Sequence, residues 1–403
     1  MSAFHPHPEL AVSPVRSVRF GIWAPHRGNW VSDPRDGPAR APFALARDVV
    51  LSAERSGFDT VLFAQHTINP QDPGADVLEA WTAAAAAAAL TSRIEIIAAI
   101  KPRLYHPAVL AKMALGIEDI SQGRFALNVV SAWYKPELER SGIGFPEHDE
   151  RYAYSSEWLS VVKALMGGEA LTHAGHSFKL DALELHPSSA YRARPYIYTG
   201  GESRAGRQLA SDHADCWLIN GRPVEDMRPM IEDLRARPRV GAPLRFGTTG
   251  FALVRDTEAL AQQELAHWLA VQEGQRDAFR MQAGQVDPEA STIHYVKQYE
   301  NGRLIGANGG TIPGFVGSYD QVADRIAAFH RIGVDTFLLS FFPMIAEQER
   351  FAAEVIPRVR DRLTSGGHAP VCDDAPGARH ANGESAKPVR PVEPVASVEP
   401  LRA

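Results

Sequence analysis

Short apolar runs alternate with helical stretches along most of this chain, and that rhythm restricts it to a parallel α/β architecture. Residues 19–24 (RFGIWA), 58–64 (FDTVLFA), 94–100 and 125–130 read as strands, and each is followed by a stretch with helical spacing, at 44–55, 76–90, 108–120 and 152–166. In the first of these helices Leu45, Val49 and Ala53 recur on one face, and Gly57 closes it. The rhythm pauses at 167–194, where GHSFKLDALEL has the pattern of a small hairpin, and then resumes. Strands at 196–199, 216–219, 246–254 and 336–339 precede helices at 204–213, 224–236, 319–332 and 347–363. Runs apolar on both faces belong to strands buried under helices, and strand–helix repeats of this length make βαβ units.

Eight such units favour closure into a TIM (β/α)8 barrel over an open doubly wound sheet. The absence of a G-x-G-x-x-G after the first strand argues the same way. The reading divides the chain into an N-terminal extension (1–18), a barrel (19–363) with a large insertion after the seventh strand (about 258–314), and a disordered tail (364–403). The tail is dominated by Pro, Ala, Gly and Glu and has no periodicity. The insertion is long and rich in glycine near 306–314, as expected of a lid.

Composition excludes several classes. A net charge of -6 and no basic tract argue against nucleic acid. The two cysteines, Cys216 and Cys372, provide neither a disulfide framework nor metal-ligand spacing. No signal-peptide pattern and no apolar run of membrane-spanning length is present, so the expectation is a cytoplasmic protein.

The stretch at 123–152, GRFALNVVSAWYKPELERSGIGFPEHDERY, is a strand that opens into polar and aromatic residues, the pattern of a ligand site at the carboxyl end of a barrel strand. GRFALNVVSAWYKPE followed by HDERY resembles a signature of the bacterial luciferase-like flavin monooxygenases. It is most similar to the branch that holds the dimethyl sulfone, alkanesulfonate and pyrimidine monooxygenases. The resemblance runs from about residue 19 to about residue 357 and implies the TIM barrel, a mobile insertion and a homodimer or homotetramer. It also implies FMN used as FMNH2, O2 as co-substrate, and a separate NAD(P)H:FMN reductase as partner.

On that resemblance, TGGESRAG binds the FMN phosphate through Gly201 and Ser203 at a helix N-terminus, although Ser203 by itself reads equally well as a helix cap. Arg151 and Tyr152 carry over as flavin contacts, Asn128 as a hydrogen-bond partner of the isoalloxazine or ribityl chain, and Glu137 as a residue lying along the cofactor. Gln65 and His66 correspond to positions that meet the flavin ring. Reduced FMN activates O2 only in a dry, hydrogen-bonded pocket, so shielding and orientation matter more than a strong catalytic dyad. No catalytic residue is assigned, no metal is expected, and His26, His106 and His148 stand as possible acid–base groups.

Substrate class follows from what the pocket lacks. Where the alkanesulfonate enzymes carry Arg and His on the seventh strand, this sequence has Thr249 and Phe251. Asn308 stands for a loop arginine and Phe342 for a tyrosine. Burying a sulfonate without those cations is unfavourable. Trp23, Trp30, Trp133, Phe251, Phe341 and Phe342, all at strand ends, suit a small neutral organosulfur compound, a sulfone such as dimethyl sulfone, cleaved at C–S. WYKPE and HRGNW also resemble the pyrimidine ring-opening enzymes, which leaves heterocycle or amide oxygenation, or an alkanesulfonate, as alternatives. A flavin- or F420-binding protein that does not oxygenate is the alternative of another class.

Overall fold

The structure, a computed structural model, describes residues 18–27, 41–70, 72–131, 134–273, 305–306 and 308–365. The N-terminal extension before residue 18, the insertion at 274–304 and the tail beyond residue 365 lie outside the described residues, as do Trp30 and Trp133. The expected lid and disordered tail fall largely there.

Eight parallel strands close into a barrel: β1 (Arg19–Trp23), β2 (Thr60–Phe63), β3 (Glu95–Ile100), β4 (Phe125–Val129), β7 (Tyr196–Thr199), β8 (Cys216–Ile219), β9 (Arg245–Phe251) and β12 (Val334–Ser340). Closure is made by β1 against β12, with Gly21 opposite Leu338 and Ile22 opposite Leu339. The outer ring is α1 (Phe43–Ser56), α2 (Ala80–Leu90), α3 (Pro107–Ser121), α5 (His148–Met166), α6 (Arg204–His213), α7 (Val224–Ala236), α9 (Tyr319–Arg331) and α10 (Met344–Ser365). A short α4 (Lys135–Arg140) follows β4, and β5 (Leu171–Ala174) with β6 (Lys179–Leu183) forms the expected hairpin.

The seventh strand is shorter than its sequence pattern. Residues 246–254 read as one strand, but the chain breaks at Ala252, whose N–H donates to Ser340 O. Beyond the break, β10 (Leu253–Arg255) leaves the barrel and pairs with β11 (Val316–Ser318), the return from the insertion. An apolar run cannot reveal this, because both halves are buried. Helix α8 (Glu258–Glu273) begins just after β10.

Two apolar cores follow from strand alternation. Outward-facing residues such as Phe20, Ile22, Phe125 and Leu127 join the helices, while Leu62, Ile97, Ala99, Ala126, Tyr198, Leu218 and Leu338 fill the barrel interior. The amino-terminal end of the interior is plugged by polar groups: Arg19 donates to Glu95 at 2.8 Å and to Tyr198 Oη at 2.9 Å, and Tyr198 donates to Glu95 at 2.9 Å. With that end closed, a ligand would approach the barrel interior from the carboxyl rim.

Gly21 faces this interior, and a Cβ there would meet Leu338 Cδ1 at 2.7 Å and overlap Thr60. Gly21→Ala should lower stability by about 1–3 kcal/mol, as expected of overpacking a filled core. A guanidinium titration checks it, and an unchanged midpoint would show that the interior has room to spare.

Candidate active site

Parallel strands deliver their carboxyl ends to one rim, so residues far apart in sequence become neighbours there. After β2 come Gln65 and His66, after β3 Lys101, and after β4 Ser131, Tyr134 and Glu137. Lys101 lies two residues beyond Ala99, which packs in the barrel interior, so alternation turns its side chain inward. Its ammonium pairs with the Glu137 carboxylate, and both side chains are buried, at 3 % and 0 % exposure. Glu137 also accepts from Thr67 N, while Gln65 Oε1 accepts from Lys101 N at 3.1 Å. One buried ion pair thus ties the exits of β2, β3 and β4 together. An ion pair withdrawn from water holds only while its geometry and additional hydrogen bonds are kept, and here the Thr67 amide supplies one of them.

Two imidazoles complete the cluster. His26, past β1, stacks on His66 with ring centroids 5.6 Å apart and planes 14° apart, and Tyr134 meets His66 edge-on at 6.4 Å. Burial holds both imidazoles well below the ordinary histidine range. The cations Arg27 and Lys101 push the same way, more weakly, and His26 adds to the effect on His66. Burial also lowers Lys101, while Glu137 supports its charge. At neutral pH the rim therefore carries neutral imidazoles beside a matched ion pair.

Asn128 lies two residues beyond Ala126 and so faces the interior near the carboxyl rim. Its Oδ1 is buried without a hydrogen-bond partner among the described residues, as are Ser131 Oγ and Thr199 Oγ1. Native proteins leave few such atoms unsatisfied, and of these three the Asn128 oxygen is the one that alternation turns toward the barrel interior.

Next to them, the β7 exit forms a cradle. Gly201 has φ 111°, and a Cβ there would meet Tyr152 Oη at 2.8 Å; one on Gly206 would meet Gly201 C at 2.8 Å. Tyr152, Gly201 and the start of α6 are thus brought together. Ser203 caps α6, accepting from Gly206 N at 3.1 Å, and its hydroxyl proton can still be donated. Backbone N–H groups and the helix dipole at the start of α6 give this turn an electrostatic field that favours negative charge. Trp217 Nε1 donates to Gly201 O at 2.9 Å and anchors the turn. Glu202 within the cradle is matched by Arg222 from the β8 exit. Arg151 is buried at the start of α5, where it donates to Pro146 O at 2.6 Å and lies 4.1 Å over the Phe145 ring.

The expected pocket residues divide. Trp23 packs half-buried at the open end of the interior core. Phe251 and Phe342 join Leu253, Ala261 and Ile305 in a small core beneath α8, where Trp268 meets Phe342 edge-on at 4.6 Å. Thr249 is engaged with backbone: it accepts from Gly221 N at 3.2 Å and donates to Asn308 O, binding the β9 exit to the return of the insertion. Of the candidate acid–base histidines, only His26 reaches the cluster, while His148 meets Tyr152 at a tilt with ring centroids 4.7 Å apart and His106 caps α3. Lys101 and Tyr134 are missing from the sequence-derived set. The signal for Lys101 was the alternation of EIIAAIK, which places a lysine on the inward face. Among the described residues no metal-binding cluster occurs, and no helix is long and apolar enough to cross a membrane.

A closed parallel barrel with a polar cluster and a glycine cradle on its carboxyl rim is the framework of an α/β-barrel enzyme. The family model of luciferase-like monooxygenases matches residues 18–336, and the chain belongs to this family of flavin-dependent monooxygenases. It is 31% identical over 350 residues to an FMNH(2)-dependent dimethylsulfone monooxygenase of Pseudomonas putida, covering 85% of this chain and 96% of the relative. A second enzyme of that description, from Pseudomonas fluorescens (strain Pf0-1), is 30% identical, with 86% and 95% covered. In three dimensions the fold matches the crystal structure of DmoA from Hyphomicrobium sulfonivorans with a TM-score of 0.69 at 19% identity, over 86% of this chain and 88% of the other.

The neutral histidines give a pH dependence of definite sign. A histidine whose folded pKa is depressed binds a proton more readily when unfolded, so stability is complete above about pH 6.5 and falls as pH drops below it. His26 and His66 act in this way, as does His213, lowered by burial to about 4. The urea midpoint should fall between about pH 7 and about pH 5, each buried histidine contributing up to about 1.4 kcal/mol per pH unit. A double His26→Gln and His66→Gln variant should show a shallower slope over that range; an equal slope would mean that these imidazoles are not held neutral.

Proposed function

We propose that this enzyme is an FMNH2-dependent monooxygenase of a small neutral organosulfur compound, with dimethyl sulfone as the reference substrate. The observation that carries the substrate class is the charge matching at the rim. Lys101 is met by Glu137, Arg222 by Glu202, and the two buried imidazoles are neutral. An anionic sulfonate would have to draw Lys101 or Arg222 from its carboxylate, or lie beside Arg27, and burying it without a cation costs several kcal/mol. Phe251 and Phe342, at the ends of β9 and β12, add no charge to this rim.

The residues fit the cofactor. The Gly200–Gly201 turn, Ser203 and the α6 N-terminus would hold the phosphate, with Tyr152 Oη alongside. The orphaned Asn128 amide oxygen would accept from the ribityl chain or ring, and Gln65 and His66 would stand at the ring edge. Arg151 and Glu137 would act from behind, Arg151 by holding the turn before α5 and Glu137 through Lys101. Trp23 and Phe342 would wall the substrate side, with Phe251 and Thr249 packed behind them. Reduced FMN, when bound, supplies the two electrons that activate O2. The balanced reaction is dimethyl sulfone with O2 and FMNH2 giving methanesulfinate, formaldehyde, FMN and water. A separate NAD(P)H:FMN reductase would provide the FMNH2. What the chain itself contributes is orientation and exclusion of water at the carboxyl rim of the barrel.

Turnover under oxygen-18 with a generic reductase, offering dimethyl sulfone, methanesulfonate and uracil, tests the substrate. Labelled formaldehyde from the sulfone is expected; label in a ring-opened pyrimidine or from the sulfonate alone would replace this reading. Gly201→Ala tests the cradle. It places a Cβ against Tyr152 in a backbone conformation that disfavours side chains, at a cost of about 1–3 kcal/mol, so FMN affinity should fall roughly tenfold or more. Fluorescence titration measures it, and unchanged affinity in a folded variant would move the phosphate elsewhere.

A further inference from the structure

On the reading that His66 stands at the flavin ring, we propose that Lys101 is a positioning residue: its ammonium fixes His66 as the neutral imidazole protonated on Nε2. Lys101 Nζ lies 3.4 Å from His66 Nδ1, and both groups are buried. An ammonium has three donors and no acceptor, so Nδ1 must accept and cannot carry the proton. In a neutral ring the proton then resides on Nε2.

The arrangement holds His66 from two sides. Glu137 pairs with Lys101 and also accepts from Thr67 N, the amide that follows His66 in the chain. Backbone and side chain of the His66–Thr67 step are therefore referred to the same ion pair. Among the described residues the groups facing the ring include His26, stacked on it, Tyr134 at its edge, and the cations Arg27 and Lys101. The nearby carboxylate, Glu137, is turned to Lys101 and Thr67. Nothing among these groups favours an imidazolium. His66 consequently serves as an N–H donor of fixed direction, suited to a carbonyl or ring-nitrogen acceptor, and not as a general base through Nε2.

The test reads the tautomer directly in ligand-free enzyme labelled with 15N-histidine, through long-range proton–nitrogen correlations, with His66 assigned by its loss in His66→Gln. Between about pH 5.5 and about pH 8, a range that spans ordinary histidine titration, His66 should show the Nε2-protonated pattern throughout. The double variant Lys101→Met with Glu137→Gln removes both charges and keeps an oxygen for Thr67. In it His66 should show mixed tautomers or begin to titrate, whereas Lys101→Arg should retain the wild-type pattern. An Nδ1-protonated or freely titrating His66 in the wild type overturns the proposal, as does an unchanged pattern in the double variant. The wild-type spectrum and Lys101→Arg suffice if the double variant does not fold. Because the signature is read without cofactor, it is independent of the flavin reading, which an FMN titration of His66→Gln tests separately by a loss of affinity.

Discussion

Closure of the barrel is the constraint on which the rest depends. Pairing of β1 with β2, β2 with β3 and β3 with β4 sets His26, His66, Lys101 and Glu137 side by side, and closure of β1 on β12 brings the ends of all eight strands to one rim. Parallel pairing sends every carboxyl end the same way. The Arg19–Glu95–Tyr198 plug closes the opposite end of the interior, so binding and chemistry are confined to one side.

On that side electrostatics is handled by matching within the protein. Lys101 with Glu137 and Arg222 with Glu202 are both withdrawn from solvent. Such pairs contribute little net stability, because desolvation offsets their attraction. Their value here lies in geometry. The Lys101 pair joins three strand exits, and the Glu202 pair fixes the cradle next to a glycine turn that a side chain would obstruct. Neutral histidines and orphaned oxygens then fit a site that orients a cofactor and keeps water out more than they fit one that moves protons.

Much of the architecture was legible in the amino-acid order because the signals are local. Helices α6 and α7 and strand β8 fall where periodicity placed them, and Ser203 caps α6 as its position in TGGES suggests. The break after Phe251 was not legible, since β10 is as apolar as the strand it leaves and is diverted by pairing with β11, more than fifty residues on. Thr249 and Glu137 show the same limit. Their side-chain chemistry was evident, but their partners, Asn308 O and Gly221 N for one and Thr67 N and Lys101 for the other, come from distant parts of the chain.

The sequence by itself determined the class: eight strand–helix units, a glycine turn before a capped helix, and a strand ending in Asn128, all set by hydrophobic period and backbone preference. Tertiary structure alone decided which charges cancel and which nitrogen of His66 faces a donor. Those depend on distances of a few ångströms between residues tens of positions apart, and only the pairing of β2, β3 and β4 in the folded sheet sets such distances.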